Sequence, residues 1–291
     1  MRKAWKSTVL VALGALFAIP QIAQAEELGE AGGFTYVKKE SVLPGSSSPS
    51  SAEATAKCPS GSVRLGGGAT VTGKPAGTAI SSSGFASDRQ WYVDGYHLGI
   101  NSKNETLTAW AVCTEKVGKV SDASHVANAG SPPTGNHATV ECVQGHAVGG
   151  GVEMVGNASD WWLNSTSGID TGDADEDPDD GWVAWVNHPS GASDTFITEV
   201  VCMEGKQPEY RQKQKETDKK NVAVKVFCPK GTSVTGGGAF ASGATDESHV
   251  MATAPIDSKK DSDSVPDDGW KAKIYNDVAS DQDFTAHVVC K

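Results

Sequence analysis

Much is missing from this chain of 291 residues, and each absence narrows the choices. Beyond residue 25 no apolar run approaches the roughly 20 residues of a spanning helix, so membrane insertion is not expected. No Cys-x-x-Cys occurs and no cysteine stands near a His pair, which excludes the usual zinc arrangements. There is no Gly-x-Ser-x-Gly elbow, and the seven histidines do not recur at matching places, so an enzyme is not expected. Positive charge is short: 25 Lys and Arg against 36 Asp and Glu, a net charge of −11. That balance argues against nucleic acid and anionic membrane as partners. No segment carries a convincing amphipathic helix period.

What is present is a repeat. Three times a cysteine is followed within a few residues by three glycines: Cys58 with Gly66, Gly67 and Gly68; Cys142 with Gly149, Gly150 and Gly151; Cys228 with Gly236, Gly237 and Gly238. Further on stands an Asp-Gly-aromatic triplet, at Asp94, Gly95 and Tyr96, at Asp180, Gly181 and Trp182, and at Asp268, Gly269 and Trp270. Each copy closes on a strand-like run ending at Cys113, Cys202 or Cys290. A repeat of this length decides the architecture before any local signal does.

The first 25 residues read as a signal peptide. Arg2, Lys3 and Lys6 precede a short apolar run, and Ala23, Gln24 and Ala25 fit a small-x-small cleavage site. The expected localisation is secreted and extracellular, where six cysteines form a disulfide framework. The repeat selects Cys58–Cys113, Cys142–Cys202 and Cys228–Cys290 from the 15 pairings that six cysteines allow. Closing loops of roughly 60 residues stabilises by about 4 kcal/mol each in the chain-entropy picture.

Residues 26–52 read as an N-terminal linker, with a short strand expected near residues 34–37. The repeats are bounded at 53–116, 137–205 and 222–291. The segment 117–137 reads as a loop. The charged segment 204–221 reads as a solvated linker, with a basic docking strip for an acidic polymer as its functional alternative. The glycine triplets are not followed by a helix start or a Lys-Ser/Thr pair, so a phosphate cradle is rejected in favour of a bulge or tight inter-sheet packing. The Asp-Gly-aromatic triplet marks a turn into a strand whose aromatic fills a core position.

Candidate binding residues are sought where the copies differ. Trp91, Trp161 and Trp162 lie in variable stretches and are candidate ring platforms for sugars. An acidic loop runs through Asp170, Asp173, Asp175, Glu176, Asp177, Asp179 and Asp180. Its alternating Asp173, Asp175 and Asp177 make a candidate calcium site, although Pro178 stands where an EF-hand loop needs glycine. No other cofactor is expected.

The pattern of Cys-Pro-x-Gly, triple glycine, Gly-Trp and closing cysteine resembles secreted bacterial triple-repeat proteins of the actinobacterial type. Cys142 to Gly145, and the run of Ser193, Asp194, Thr195, Phe196, Ile197, Thr198 and Glu199 into Cys202, are similar to the vitelline membrane outer layer protein I family. That resemblance implies a β-prism of three sheets around a pseudo-threefold axis and carries over no functional residue. The expected fold is therefore all-β: three disulfide-closed β repeats sharing a prism-like core, with three tandem small β-domains as the alternative. The expected function is a secreted non-catalytic binding or structural module that engages glycans or cell-envelope surfaces. The alternatives are a secreted protein-interaction factor, such as an inhibitor or toxin component, and a polysaccharide-active hydrolase.

Overall fold

A computed structural model of the chain describes residues 25–73, 77–99, 103–116, 119–128, 136–156, 161–171, 177–187, 195–217, 220–242, 248–258, 263–276 and 281–291. All of the expected leader except residue 25 lies outside them. The described residues form an all-β protein with no helix. After β1 (Glu26–Ala31), the strands fall into three sets of six. The first set is β2 (Phe34–Leu43), β3 (Ser50–Lys57), β4 (Val63–Val71), β5 (Thr78–Ser87), β6 (Gln90–His97) and β7 (Glu105–Thr114). The second is β8 (Val120–Asn128), β9 (Asn136–Glu141), β10 (His146–Val155), β11 (Trp162–Ile169), β12 (Gly181–Asn187) and β13 (Thr195–Met203). The third is β14 (Glu209–Thr217), β15 (Asn221–Phe227), β16 (Val234–Ala241), β17 (Ser248–Ile256), β18 (Gly269–Asn276) and β19 (Gln282–Cys290).

No repeat keeps its strands to itself. The sheets run β1-β2-β7-β4-β17-β18-β15, β3-β6-β5-β10-β13-β8 and β14-β19-β16-β11-β12-β9. Each joins one half of a repeat to the complementary half of another, and the seams are cyclic: β4 with β17, β10 with β5, β16 with β11. The tandem-domain alternative is thereby corrected. A lone repeat of this size has a marginal core, and here one buried cluster draws side chains from all three, including Trp91, Phe196 and Trp270.

The three glycines of each triplet have three different neighbours. The first glycines converge on the pseudo-threefold axis. A methyl group on Gly66 would stand 2.6 Å from the Thr235 carbonyl oxygen, one on Gly149 2.6 Å from that of Leu65, and one on Gly236 2.3 Å from that of Val148. The second glycines seat tryptophans: Gly67 under Trp91, Gly150 under Trp182, Gly237 under Trp270. The third glycines lie on the seams, where a methyl group would come within 2.0 to 2.2 Å of the carbonyls of Thr253, Ser83 and Thr166. Those same three residues accept the tryptophan N–H groups through their hydroxyls, at 2.8 Å for Trp270, 3.1 Å for Trp91 and 2.6 Å for Trp182. Each triplet enters its strand through a register shift against the closing strand, so the expected bulge is also present.

The disulfides pair as the repeat implied, each with Cα atoms 5.7 Å apart. Three such bridges fit an oxidising environment. No described helix is long and apolar enough to cross a membrane.

Three expectations are corrected. The segments read as linkers or loops at 26–52, 117–137 and 204–221 contain β1 and β2, β8, and β14. Each of β2, β8 and β14 pairs along the closing strand of its own repeat. The last two are edge strands, and a charged or polar edge needs no apolar face of its own while deterring edge-to-edge pairing. A further correction concerns the aromatic triplet. Backbone N–H groups of Cys58, Cys142 and Cys228 donate to the carbonyls of Arg89, Asp180 and Asp268, so Trp91, not Tyr96, matches Trp182 and Trp270.

Replacing Gly150 by Ala would put a methyl group 2.3 Å from the Trp182 ring and 2.5 Å from the Glu199 carbonyl oxygen. Chemical denaturation should show Gly150→Ala destabilised by about 3 kcal/mol. Val143→Ala, at a 90% exposed position, should stay within about 0.5 kcal/mol of wild type.

Candidate functional site

The tryptophans expected as platforms do not form one. Trp91 and Trp161 are each 1% exposed, so neither offers an open ring face. The reason for Trp91 is its seat on Gly67. Trp162 is half-buried at the start of β11, 6.0 Å from the His249 ring, which lies 5.2 Å from Tyr275.

The acidic loop is partly structural. Asp173 and Asp175 lie outside the described residues. Asp177 accepts a hydrogen bond from Gln207 at 3.2 Å. Asp180 takes the N–H and hydroxyl of Thr171, as Asp268 takes those of Ser258, so these two carboxylates tie down equivalent turns. The preceding Asp179 holds His146, and Asp267 accepts from Ser233 at 3.0 Å. Among the described residues no cluster of Asp, Glu, His or Cys is arranged to hold a metal ion.

The copies differ most on the outer faces of the sheets. Counted three residues beyond the seated tryptophans, equivalent outward positions carry Asp94, Trp185 and Lys273. Their cross-strand partners are Glu53, His137 and Ala223. One step nearer the tryptophans stand Tyr92, Val183 and Lys271, opposite Thr55, Thr139 and Lys225. Over the third glycines the partners are Glu199, His287 and Trp110. One backbone plan thus presents an acidic face on the second sheet, an aromatic one on the third and a lysine-bearing one on the first.

The acidic face is charged beyond comfort. Glu53 and Asp94 are directly opposite, a like-charge pair that destabilises a sheet. Asp94 is 6% exposed, and burial, with Glu53 and Glu153 adding to it, pushes its carboxyl up to about 6 against the opposing hydrogen bond from Tyr92. Glu199, 4% exposed, lies over Gly84 and accepts the Phe85 N–H at 2.8 Å. Burial first, then the charge of Glu153, moves it up to about 8. Beside it, buried Arg64 is bidentate to Asp122 and lies 3.7 Å over the Phe85 ring.

That ion pair replaces a different lock elsewhere. At the positions equivalent to Asp122, Tyr36 and Tyr210 donate to the carbonyls of Val234 and Ala147, the residues equivalent to Arg64. The Arg64–Asp122 exchange has no signature in the sequence, because the partners are on different repeats.

On the aromatic face the rings of His137 and Trp185 stack at 4.3 Å with an interplanar angle of 18°. Phe240 is half-buried on the same sheet. Sequence reading passed over both members of the stack. The signal available was the partner of Trp185, the exposed His137 directly opposite.

No protein-family model and no curated protein matches the chain.

Because folding favours the protonated Glu199, its contribution to stability is greatest below the ordinary carboxylate value and declines as pH rises from there to about 8. A tenfold displacement of protonation is worth about 1.4 kcal/mol. Glu199→Gln keeps the acceptor for Phe85, so at pH 8 it should exceed wild type in stability by on the order of 2 kcal/mol, the difference closing towards pH 4. Thermal unfolding across that range reads it out, and parallel profiles for the two proteins would contradict the assignment.

Proposed function

We propose that the protein is a secreted, non-catalytic binding module that takes a glycan on the outer face of the third sheet. The observation that carries this reading is the His137–Trp185 stack on that face, where the second sheet has Glu53 and Asp94. An outward aromatic pair fills no core. A ring held rigid by its neighbour costs little order on binding and offers the apolar surface on which a sugar face stacks. Exposed Thr139 on the same sheet supplies a hydroxyl for a polar edge of a saccharide. The disulfides fit export, and the leader-like residues 1–25 support secretion.

Retention on insoluble polysaccharides, followed by calorimetry with soluble fragments, tests this. Trp185→Ala should weaken binding about tenfold or more, and His137→Ala several-fold, with the unfolding temperature of each kept near wild type. Absence of retention on every polysaccharide tried, or a Trp185→Ala protein that binds like wild type, would overturn the reading. Release of reducing ends from a retained polysaccharide would replace the non-catalytic module by a hydrolase, with the carboxyls of the second sheet as its acids.

A further inference from the structure

The three corners of the prism are built alike, and the third is lined with cations. At each corner the first strand of a repeat lies beside the second: β2 by β3, β8 by β9, β14 by β15. Equivalent positions on the first strands are Val37, Lys39 and Ser41, then Ala123, His125 and Ala127, then Arg211, Lys213 and Lys215. In the first corner Val37 and Leu43 are buried in one cluster with Ala54 and Ala56. In the second, His125 closes the gap by donating Nδ1–H to the Thr139 carbonyl at 2.7 Å. In the third, Lys213 stands where His125 would, and a groove of about 430 Å³ remains, lined by Arg211, Gln212, Lys213, Lys225, Val226 and Phe227.

The positive charge continues across the first sheet. Lys225 is directly opposite Lys271, a like-charge cross-strand pair, and Lys273 follows on the same strand. Burial, then the charges of Lys225 and Lys273, hold Lys271 below the ordinary lysine value. Arg211 pairs with Glu209 at 2.7 Å, whereas Lys213, Lys225, Lys271 and Lys273 make no ion pair among the described residues. A chain of net charge −11 has no need of this concentration for solubility. A fold that keeps a strained cluster where one sister corner is closed by apolar packing and the other by a histidine–carbonyl hydrogen bond retains it for a ligand.

The geometry points to a binding site for an anionic polysaccharide along this corner, its sulfate or carboxylate groups taken by Arg211, Lys213 and Lys225 with Lys271 and Lys273 behind them. The groove follows an edge strand and suits a linear chain. Alternate side chains on β14 repeat about every 7 Å, so successive charges meet successive cations. This site stands apart from the His137–Trp185 face and does not rest on it.

Dextran sulfate and neutral dextran of the same length, titrated into the whole protein at low ionic strength, provide the test. Dextran sulfate should bind, neutral dextran should not bind at the groove, and the affinity should fall steeply as salt is raised. Lys213→Ala with Lys225→Ala should weaken dextran sulfate binding about tenfold or more. The pair Lys39→Ala with Lys57→Ala removes equal charge at the first corner and should bind like wild type. Unchanged thermal unfolding confirms that the variants are folded. The inference fails if dextran sulfate does not bind, if the control pair loses as much as the groove pair, or if single-stranded DNA binds as tightly.

Discussion

Three backbones crossing at one axis set the terms for everything else in this protein. Strands from three repeats can approach so closely only where Gly66, Gly149 and Gly236 present no side chain. Once they meet, the next residue of each strand faces inward under a tryptophan, and the one after faces outward onto the strand of another repeat. Three consecutive glycines therefore have three separate causes. The tryptophan above the second glycine donates to a hydroxyl whose own backbone carbonyl lies against a third glycine, so seat and seam are mechanically linked. The disulfides then pin the ends of β3, β9 and β15 to the closing strand of the same repeat.

A core fixed this way leaves the outer surface free to vary. Equivalent outward positions hold Asp94, Trp185 and Lys273, and none of the three contributes to the glycine axis. The like-charge pairs Glu53–Asp94 and Lys225–Lys271 weaken their sheets. Stability elsewhere carries that cost, as expected of positions retained for recognition rather than folding. The Arg64–Asp122 pair shows a subtler divergence, in which both partners of a tyrosine–carbonyl lock have changed together.

How much of this was legible in the sequence depends on whether a signal is local. Cysteine pairing followed from position within the repeat, and the bulge at the glycines followed from their number. The edge strands were missed because strands such as β14, with Arg211, Lys213 and Lys215 alternating with glutamines, show no apolar period; their backbone pairing, not burial, holds them. Tyr96 was matched to Trp182 because Asp94 and Gly95 imitate the turn signal, whereas Gly95 lies mid-strand against Leu107. The exchange of strands between repeats has no local signature at all. The candidate faces and the basic corner depend on cross-strand register, which no single segment encodes, so Trp185 was passed over and Trp91 was taken for a surface platform.

Native-state hydrogen exchange under increasing urea tests the central claim, that the three repeats form one cooperative core. The amides of the three seams, at Thr70, Val152 and Thr166, should open with the same free energy and merge with global unfolding. Seam amides that open at different free energies, repeat by repeat, would contradict the account.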